Sequence, residues 1–351
     1  MGKRKICKIV FVILSIFLCV AFYELFGICI AYKKQPEVSN IIKKETQNDS
    51  WNERSENMER AVIIEKNPEA LLQRVRLIRN AKEDIILSTF AFQSDESGKL
   101  ILGALHDAAD RGVHIRLLVD GMESWIDMEG NPYFYGLSSH ENVEIKLYNK
   151  ANPLKPWKMM GRMHDKYLIA DGKRYILGGR NTYNYFLGDF PGHKNYDRDV
   201  LVVCDEPEKE NSVNQLLEYF ETIWEQEDSG YFHDNKKLAN RKSVKNAVLE
   251  LQNGYQKYFE ENKERICDTD YTDETFETEK IALVSNPIHT GSKEPVVWYQ
   301  LGELMKNAKN RVKIHTPYII CNDMMYNTWE EIAENVSDSV SYTHLTLPTI
   351  C

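Results

Sequence analysis

An α/β architecture, with helices layered on a β-sheet, is predicted by three features of this 351-residue chain. Short β-rich apolar runs alternate with stretches whose apolar residues recur at helical spacing. One helix–strand unit returns later in the chain at a constant offset. An apolar segment at the N-terminus stands apart from both.

Residues 9–32 are apolar apart from Glu24 and a few small polar residues, and Lys3, Arg4, Lys5 and Lys8 precede them. The segment is long enough to span a bilayer as a helix, which predicts a single-pass anchor. A cleaved signal peptide is the alternative, with 9–22 as its apolar region, but no A-x-A site follows. Lys33, Lys34, Lys43 and Lys44 nearly balance the basic residues before the segment, so both orientations stay open.

Residues 33–60 are polar and of mixed charge, and read as a tether. A helix is expected over 68–80 from Leu71, Leu72, Val75 and Ile78, then a strand over 85–92. Residues 98–110 read as a helix and 113–119 as a buried strand. Further strands are expected at 143–147, 166–170, 175–177 and 199–203, and a helix at 212–226. Together these make a first domain over 61–230. The charged stretch 231–280 reads as a connector.

Residues 66–92 align without a gap to 293–319, an offset of 227. Lys66/Lys293, Pro68/Pro295, Gln73/Gln300, Leu77/Leu304, Asn80/Asn307, Ala81/Ala308, Lys82/Lys309 and Thr89/Thr316 are identical. Two ordinary helix–strand units that coincide would be the plain explanation. A duplicated domain explains more, and predicts an incomplete second copy over 281–340. The uncharged stretch 341–351 does not continue the pattern and reads as a non-native tail.

Composition narrows the function. An 11% aromatic content within 42% hydrophobic residues excludes bulk disorder. The formal net charge of -9 argues against wrapping nucleic acid by bulk charge. The seven cysteines form no CxxC pair, so neither a disulfide framework nor a zinc site is indicated. Asp268, Asp270 and Asp273 lack the glycine and terminal glutamate of a calcium loop.

The chemistry concentrates between positions 164 and 181. His164, Lys166 and Asp171 are followed by Gly178, Gly179 and Asn181. In a strand, His164 and Lys166 would face one side about 7 Å apart, with Asp171 at the strand end. A turn at Gly172 would return the chain and deliver Asn181 beside them, while glycine lets backbone approach a ligand. The set suits a phosphate ester: an imidazole can attack phosphorus while an ammonium and an amide hold its oxygens. A strand-end histidine and a turn aspartate are the plain alternative. The spacing of Gly-Gly-x-Asn after a second strand disfavours it. Just before His164, Lys150, Lys155, Lys158 and Arg162 interleave with Trp157, Met159, Met160 and Met163. That composition fits contact with anionic lipid headgroups, or an ordinary covering loop.

At these residues the chain resembles the phospholipase D superfamily, whose signature is HxKxxxxD followed by GGxN or GSxN. The resemblance runs from about Ala61 to Glu227 and is greatest to bacterial cardiolipin synthases. It implies the phospholipase D fold, a mixed β-sheet flanked by helices, and a phosphohistidine intermediate. His164 would be the nucleophile or general acid, and Lys166 and Asn181 the phosphate ligands, with Gly178 and Gly179 beside them. Asp199 would orient His164, and Asp171 would support the site. Neither metal nor cofactor is implied. A second motif, expected near position 391 and outside this sequence, would complete the site, as would a homodimer partner. The resemblance therefore predicts a fragment of a membrane-anchored phosphatidyltransferase of the bacterial cell membrane, acting on anionic phospholipid such as phosphatidylglycerol. A phospholipid hydrolase, a superfamily nuclease and an inactive membrane-tethered binding module are the alternatives, and no nucleic-acid partner is expected.

Overall fold

The computed structural model describes residues 3–48, 59–207, 210–233, 236–316, 320–336 and 338–342. In chain order the elements begin with α1 (Lys3–Ala31), α2 (Asn40–Asn48), β1 (Arg60–Ile64), α3 (Asn67–Asn80), β2 (Asp84–Thr89) and α4 (Glu96–Asp110). They continue with β3 (His114–Asp120), α5 (Glu123–Asp127), α6 (Pro132–Ser138), β4 (Val143–Tyr148), β5 (Tyr167–Ala170), β6 (Arg174–Gly178) and β7 (Asp199–Val203). Then come α7 (Ser212–Trp224), β8 (Ser229–Tyr231), α8 (Lys236–Ala239), α9 (Lys242–Glu261), α10 (Lys263–Cys267) and β9 (Phe276–Glu277). The last are α11 (Val296–Lys306), β10 (Arg311–His315), α12 (Asp323–Asn335) and β11 (Asp338–Tyr342).

The chain divides into two units. The first holds residues 1–33, 54–283 and 288–291. Its mixed sheet has nine strands in the order β8-β4-β3-β2-β5-β6-β7-β1-β9. Strands β2, β3 and β4 are parallel, whereas β2 meets β5 antiparallel, and β5, β6, β7 and β1 follow as an antiparallel run. Alternation along each strand feeds two cores. Ile85, Leu87, Ile115, Leu117, Leu168 and Ile176 face α3, α4 and α9. Ile86, Leu118, Tyr167, Ile169 and Tyr175 face Val213, Leu216, Phe220, Ile223 and Trp224 of α7. The α/β class and the sheet with helices on both faces are thus as the sequence predicts.

Two segments differ from expectation. Residues 231–280 are built into the first unit rather than forming a connector. Helix α9 buries Val244, Leu251, Tyr255 and Phe259, a stripe at helical spacing beneath its charged outer face. Each such side chain stabilises by about 1.5–3 kcal/mol when fully buried. Gly103 lets α4 approach, since a Cβ there would stand 2.7 Å from the Leu251 carbonyl oxygen. The stretch 33–60 contains α2 and the start of β1 as well as polar chain, and part of it (49–58) lies outside the described residues.

The second unit holds residues 34–53, 284–287 and 292–351. Strands β10 and β11 pair in parallel, joined through α12. Strand β10 starts 227 residues after β2 and α12 starts 227 residues after α4, the offset read from the sequence. The unit thereby repeats the β2–α4–β3 crossover of the first, with β11 starting three residues earlier than strict repetition would place it. Of the stretch 341–351, residues 341–342 belong to β11 and 343–351 lie outside the described residues.

Candidate active site

The hairpin β5–β6 fixes the geometry. Asp171 and Gly172 adopt left-handed φ of 52° and 58°, the conformation a tight right-twisting hairpin turn needs. The Lys173 N–H closes the turn on the Ala170 carbonyl at 3.1 Å. Register then pairs Tyr167 with Leu177, and the Gly178 N–H donates to the Lys166 carbonyl at 3.1 Å. The chain entering β5 and the chain leaving β6 therefore meet at one sheet edge. The C-terminal end of β2 lies there too, because Ser88 pairs with Tyr167.

At that edge His164 is surface-accessible and Lys166 is buried. Lys166 Nζ donates to the His164 carbonyl at 2.6 Å. The His164 ring packs edge-on against Phe90 at 4.6 Å between centroids, and Lys166 Nζ stands 5.2 Å from the same ring. Asn181 is buried, and its Oδ1 accepts from the N–H of Ala91 at 3.2 Å, next to Phe90. His164, Lys166 and Asn181 are thus gathered around the end of β2. His164 and Lys166 lie just before the β5 ladder rather than within it.

Partial burial, and then the Lys166 ammonium, push the His164 imidazole down to about 4, so it is neutral near pH 7. Burial likewise lowers the Lys166 ammonium to about 8, against the opposing pull of Asp165, Asp197 and Asp120. The edge therefore holds a neutral imidazole beside a desolvated cation, a place suited to an anionic group.

The segment leading to His164 is held by Asp120 at the end of β3. Its Oδ2 accepts from the Met163 N–H at 3.1 Å, and its Oδ1 pairs with Arg162 Nη1 at 3.1 Å. Asp165 accepts from the Tyr219 hydroxyl at 2.8 Å. These bonds fix the chain on both sides of the imidazole.

Asp199 does not orient His164. Its carboxylate is wholly buried and paired with Arg74 at 2.9 Å and Arg180 at 3.3 Å. Its Oδ1 lies over Gly178, where a Cβ would stand 2.0 Å away. The carboxylate that acts on Lys166 from the segment leading into β7 is Asp197, two residues earlier, which packs over Gly179. A Cβ on Gly179 would lie 2.1 Å from Asp197 Oδ2. Gly178 and Gly179 thus admit two acidic side chains, and both glycines stand at the edge expected.

Asp171 sits apart from the other site residues, at the far end of β5. Its carboxylate accepts from the backbone N–H groups of Lys82, Glu83 and Asp84 at 3.0, 2.8 and 3.2 Å, tying the α3–β2 turn to the hairpin. Its position in the motif reflects support of the sheet rather than contact with His164. Sequence reading missed Phe90, Asp120 and Asp197, and no local signal sets Asp197 apart from Asp199. Among the described residues no group of three His, Cys, Asp or Glu side chains is arranged to hold a metal ion.

Residues 74–224 match a family model described as cardiolipin synthase, phospholipase D-like domain. An uncharacterized protein of Helicobacter pylori strain J99 is 30% identical over 212 residues, 56% of this chain and 39% of that protein. Cardiolipin synthase C of Escherichia coli K12 is 29% identical over 171 residues, 45% of this chain and 34% of that enzyme. The solved structure of phosphatidylserine synthase from Haemophilus influenzae Rd KW20 shares the fold at a TM-score of 0.54 and 14% identity, covering 86% of this chain and 65% of its own. The chain spans about a third to a half of the length of the curated relatives it matches.

Proposed function

The chain belongs to the phospholipase D superfamily, and we propose that it is a membrane-anchored phosphatidyltransferase acting on phospholipid phosphodiesters through His164. The observation that carries this reading is a neutral, accessible imidazole beside the buried Lys166 and Asn181. A neutral imidazole offers the free nitrogen lone pair that nucleophilic attack needs. An imidazole nitrogen of His164 attacks phosphorus and forms an N–P bond, while the P–O bond to the departing alcohol breaks. The alcohol takes a proton from a second histidine, which then removes the proton of the incoming alcohol as its oxygen bonds to phosphorus and the N–P bond breaks, freeing His164. Lys166 and Asn181 hold the non-bridging oxygens, whose charge grows in the transition state. Asp120 and Asp197 position and polarise this set without touching phosphorus.

The second histidine belongs to a further copy of the domain or to a partner chain. The βαβ unit repeated at an offset of 227 supports a duplicated domain beginning near 281. Helix α1 supports a membrane anchor, since residues 8–31 are long and apolar enough to span a bilayer, Lys8 and Glu24 apart. The cardiolipin synthases among the relatives favour phosphatidylglycerol as donor and an alcohol as acceptor. Hydrolysis differs only in taking water as the acceptor. Headgroup exchange measured on phosphatidylglycerol in membranes carrying the protein tests the reading. Exchange lost in His164→Ala supports it, and exchange unchanged in that variant removes it.

A further inference from the structure

The stretch 150–163 does more than lead the chain to His164. Residues 156–158 form a short 3-10 turn against the C-terminal part of α1. The Tyr23 hydroxyl donates to the Leu154 carbonyl at 2.9 Å. Gly27 lies under Pro156, where an added Cβ would stand 2.5 Å from its ring. Glu24, Gly27, Ile28 and Ala31 are the partly covered residues of this part of the helix, one face at helical spacing. Leu25, Phe26 and Ile30 on its other sides are exposed.

This contact fixes a depth. At 1.5 Å per residue, Gly27 lies about 6 Å and Tyr23 about 12 Å along the helix from the end of its apolar segment at Ala31. A bilayer that holds α1 must therefore reach the turn packed against those residues. The turn is made for that depth. Leu154, Trp157 and Met160 are 78%, 44% and 57% exposed. Its backbone is closed on itself: the N–H groups of Lys155, Lys158 and Met159 bond to carbonyls of Asn152, Lys155 and Pro156. Asn149 Nδ2 takes the Lys158 and Gly161 carbonyls at 2.7 and 2.8 Å. Non-helical backbone enters lipid only when its polar groups are so satisfied. Lys33 and Lys155 are exposed beside the apolar side chains, where ammonium groups meet phosphate headgroups.

A second apolar element leaves the sheet alongside. Helix α5 follows β3 and exposes Trp125 and Ile126 by 69% and 68%. Its base abuts the start of the 150–163 stretch, for a Cβ on Gly121 would meet Lys150 N at 2.6 Å. Both elements flank Asp120, which holds Arg162 and Met163 immediately before His164.

We propose that residues 152–160, together with Trp125 and Ile126, form a rim that inserts into the bilayer interface beside α1 and seats the His164 edge on the lipid surface. The proposal rests on the reading of α1 as a membrane anchor, and it adds where the domain touches lipid. A phospholipid would then reach His164 by lateral movement rather than by leaving the membrane.

The test uses the full chain reconstituted in phosphatidylglycerol–phosphatidylcholine vesicles, with and without bromine atoms on the acyl chains. Flotation of the chain with the vesicles checks the anchor by itself. Tryptophan quenching by the brominated chains checks the rim. Quenching is expected in the wild type and should fall about twofold in the W125F/W157F double variant, because tryptophans at the interface lie within reach of the bromines. Floated protein whose quenching is the same in wild type and double variant overturns the rim and leaves the anchor standing. Protein that does not float overturns both. Neither substitution touches the His164 set, so headgroup exchange on a monomeric short-chain phospholipid should survive in W125F/W157F if the proposed chemistry holds.

Discussion

The two ends of the β5–β6 hairpin carry one sequence motif and opposite physics. At one end Lys166 is buried with a lowered affinity for its proton, and His164 is forced neutral beside it. At the other, Asp171 is fully engaged by backbone N–H groups of the α3–β2 turn. The first end is left electrostatically unfinished, which costs stability and leaves capacity for a phosphate. The second is finished, and its return is a sheet held in register. The motif thus joins a desolvated, cationic end to a clamped turn through a four-residue strand.

That contrast can be broken from either end. His164→Ala should lower headgroup exchange by about 10³-fold or more, as loss of a nucleophile does, with the thermal midpoint of the domain hardly changed. A comparable rate would mean that the chemistry lies elsewhere. Lys166→Met should lower exchange by about 10²–10³-fold, as loss of a transition-state cation does. The same change should raise stability by roughly 1 kcal/mol, because an ammonium is no longer held out of water. Chemical denaturation of the variant checks this, and a stability loss would show that Lys166 is a structural residue.

The pH profile sharpens the comparison further. Lys166 ionises near 8, below its ordinary 10.5, so its charge is present below about pH 8 and lost as pH rises through that value. His164 is neutral above about 4. The profile should therefore carry a limb near pH 8 that belongs to Lys166, beyond any limb of the second histidine, and that limb should be absent in Lys166→Arg. Between about 8 and 10.5 the unfolded chain binds the Lys166 proton more tightly than the native one, so stability should rise with pH across that window. Asp197→Asn removes a charge that supports the ammonium, so the upper limb should move to lower pH, with a rate loss of about tenfold at neutral pH. Asp171→Ala should do the reverse of all these: it should destabilise by about 2–3 kcal/mol and leave the rate per folded molecule within about twofold.

What was legible in the sequence follows from distance along the chain. Strand alternation and helical spacing are local, so β2 to β7 and helices α3, α4 and α7 could be read directly, whereas β1 and the short helices α2, α5 and α6 were not. His164, Lys166 and Asn181 were legible because a single hairpin brings them together. Asp199 was misplaced because its partner Arg74 stands 125 residues earlier, and nothing local distinguishes it from Asp197. Asp171 was expected to support the site, but the means could not be read: its partners are backbone groups 87–89 residues away, which no side-chain pattern reveals. Helix α9 was hidden by composition, since its many charges mask a stripe of five buried apolar residues.

In the proposed reaction His164 bonds to phosphorus and Asp171 takes no part. Covalent labelling tests it most directly, using a phospholipid that carries ³²P in its phosphodiester, followed by acid and alkali treatment of the trapped protein. An acid-labile, alkali-stable label is expected on the peptide bearing His164, absent from His164→Ala and retained by folded Asp171→Asn. Label that persists in His164→Ala, or disappears from folded Asp171→Asn, would contradict it.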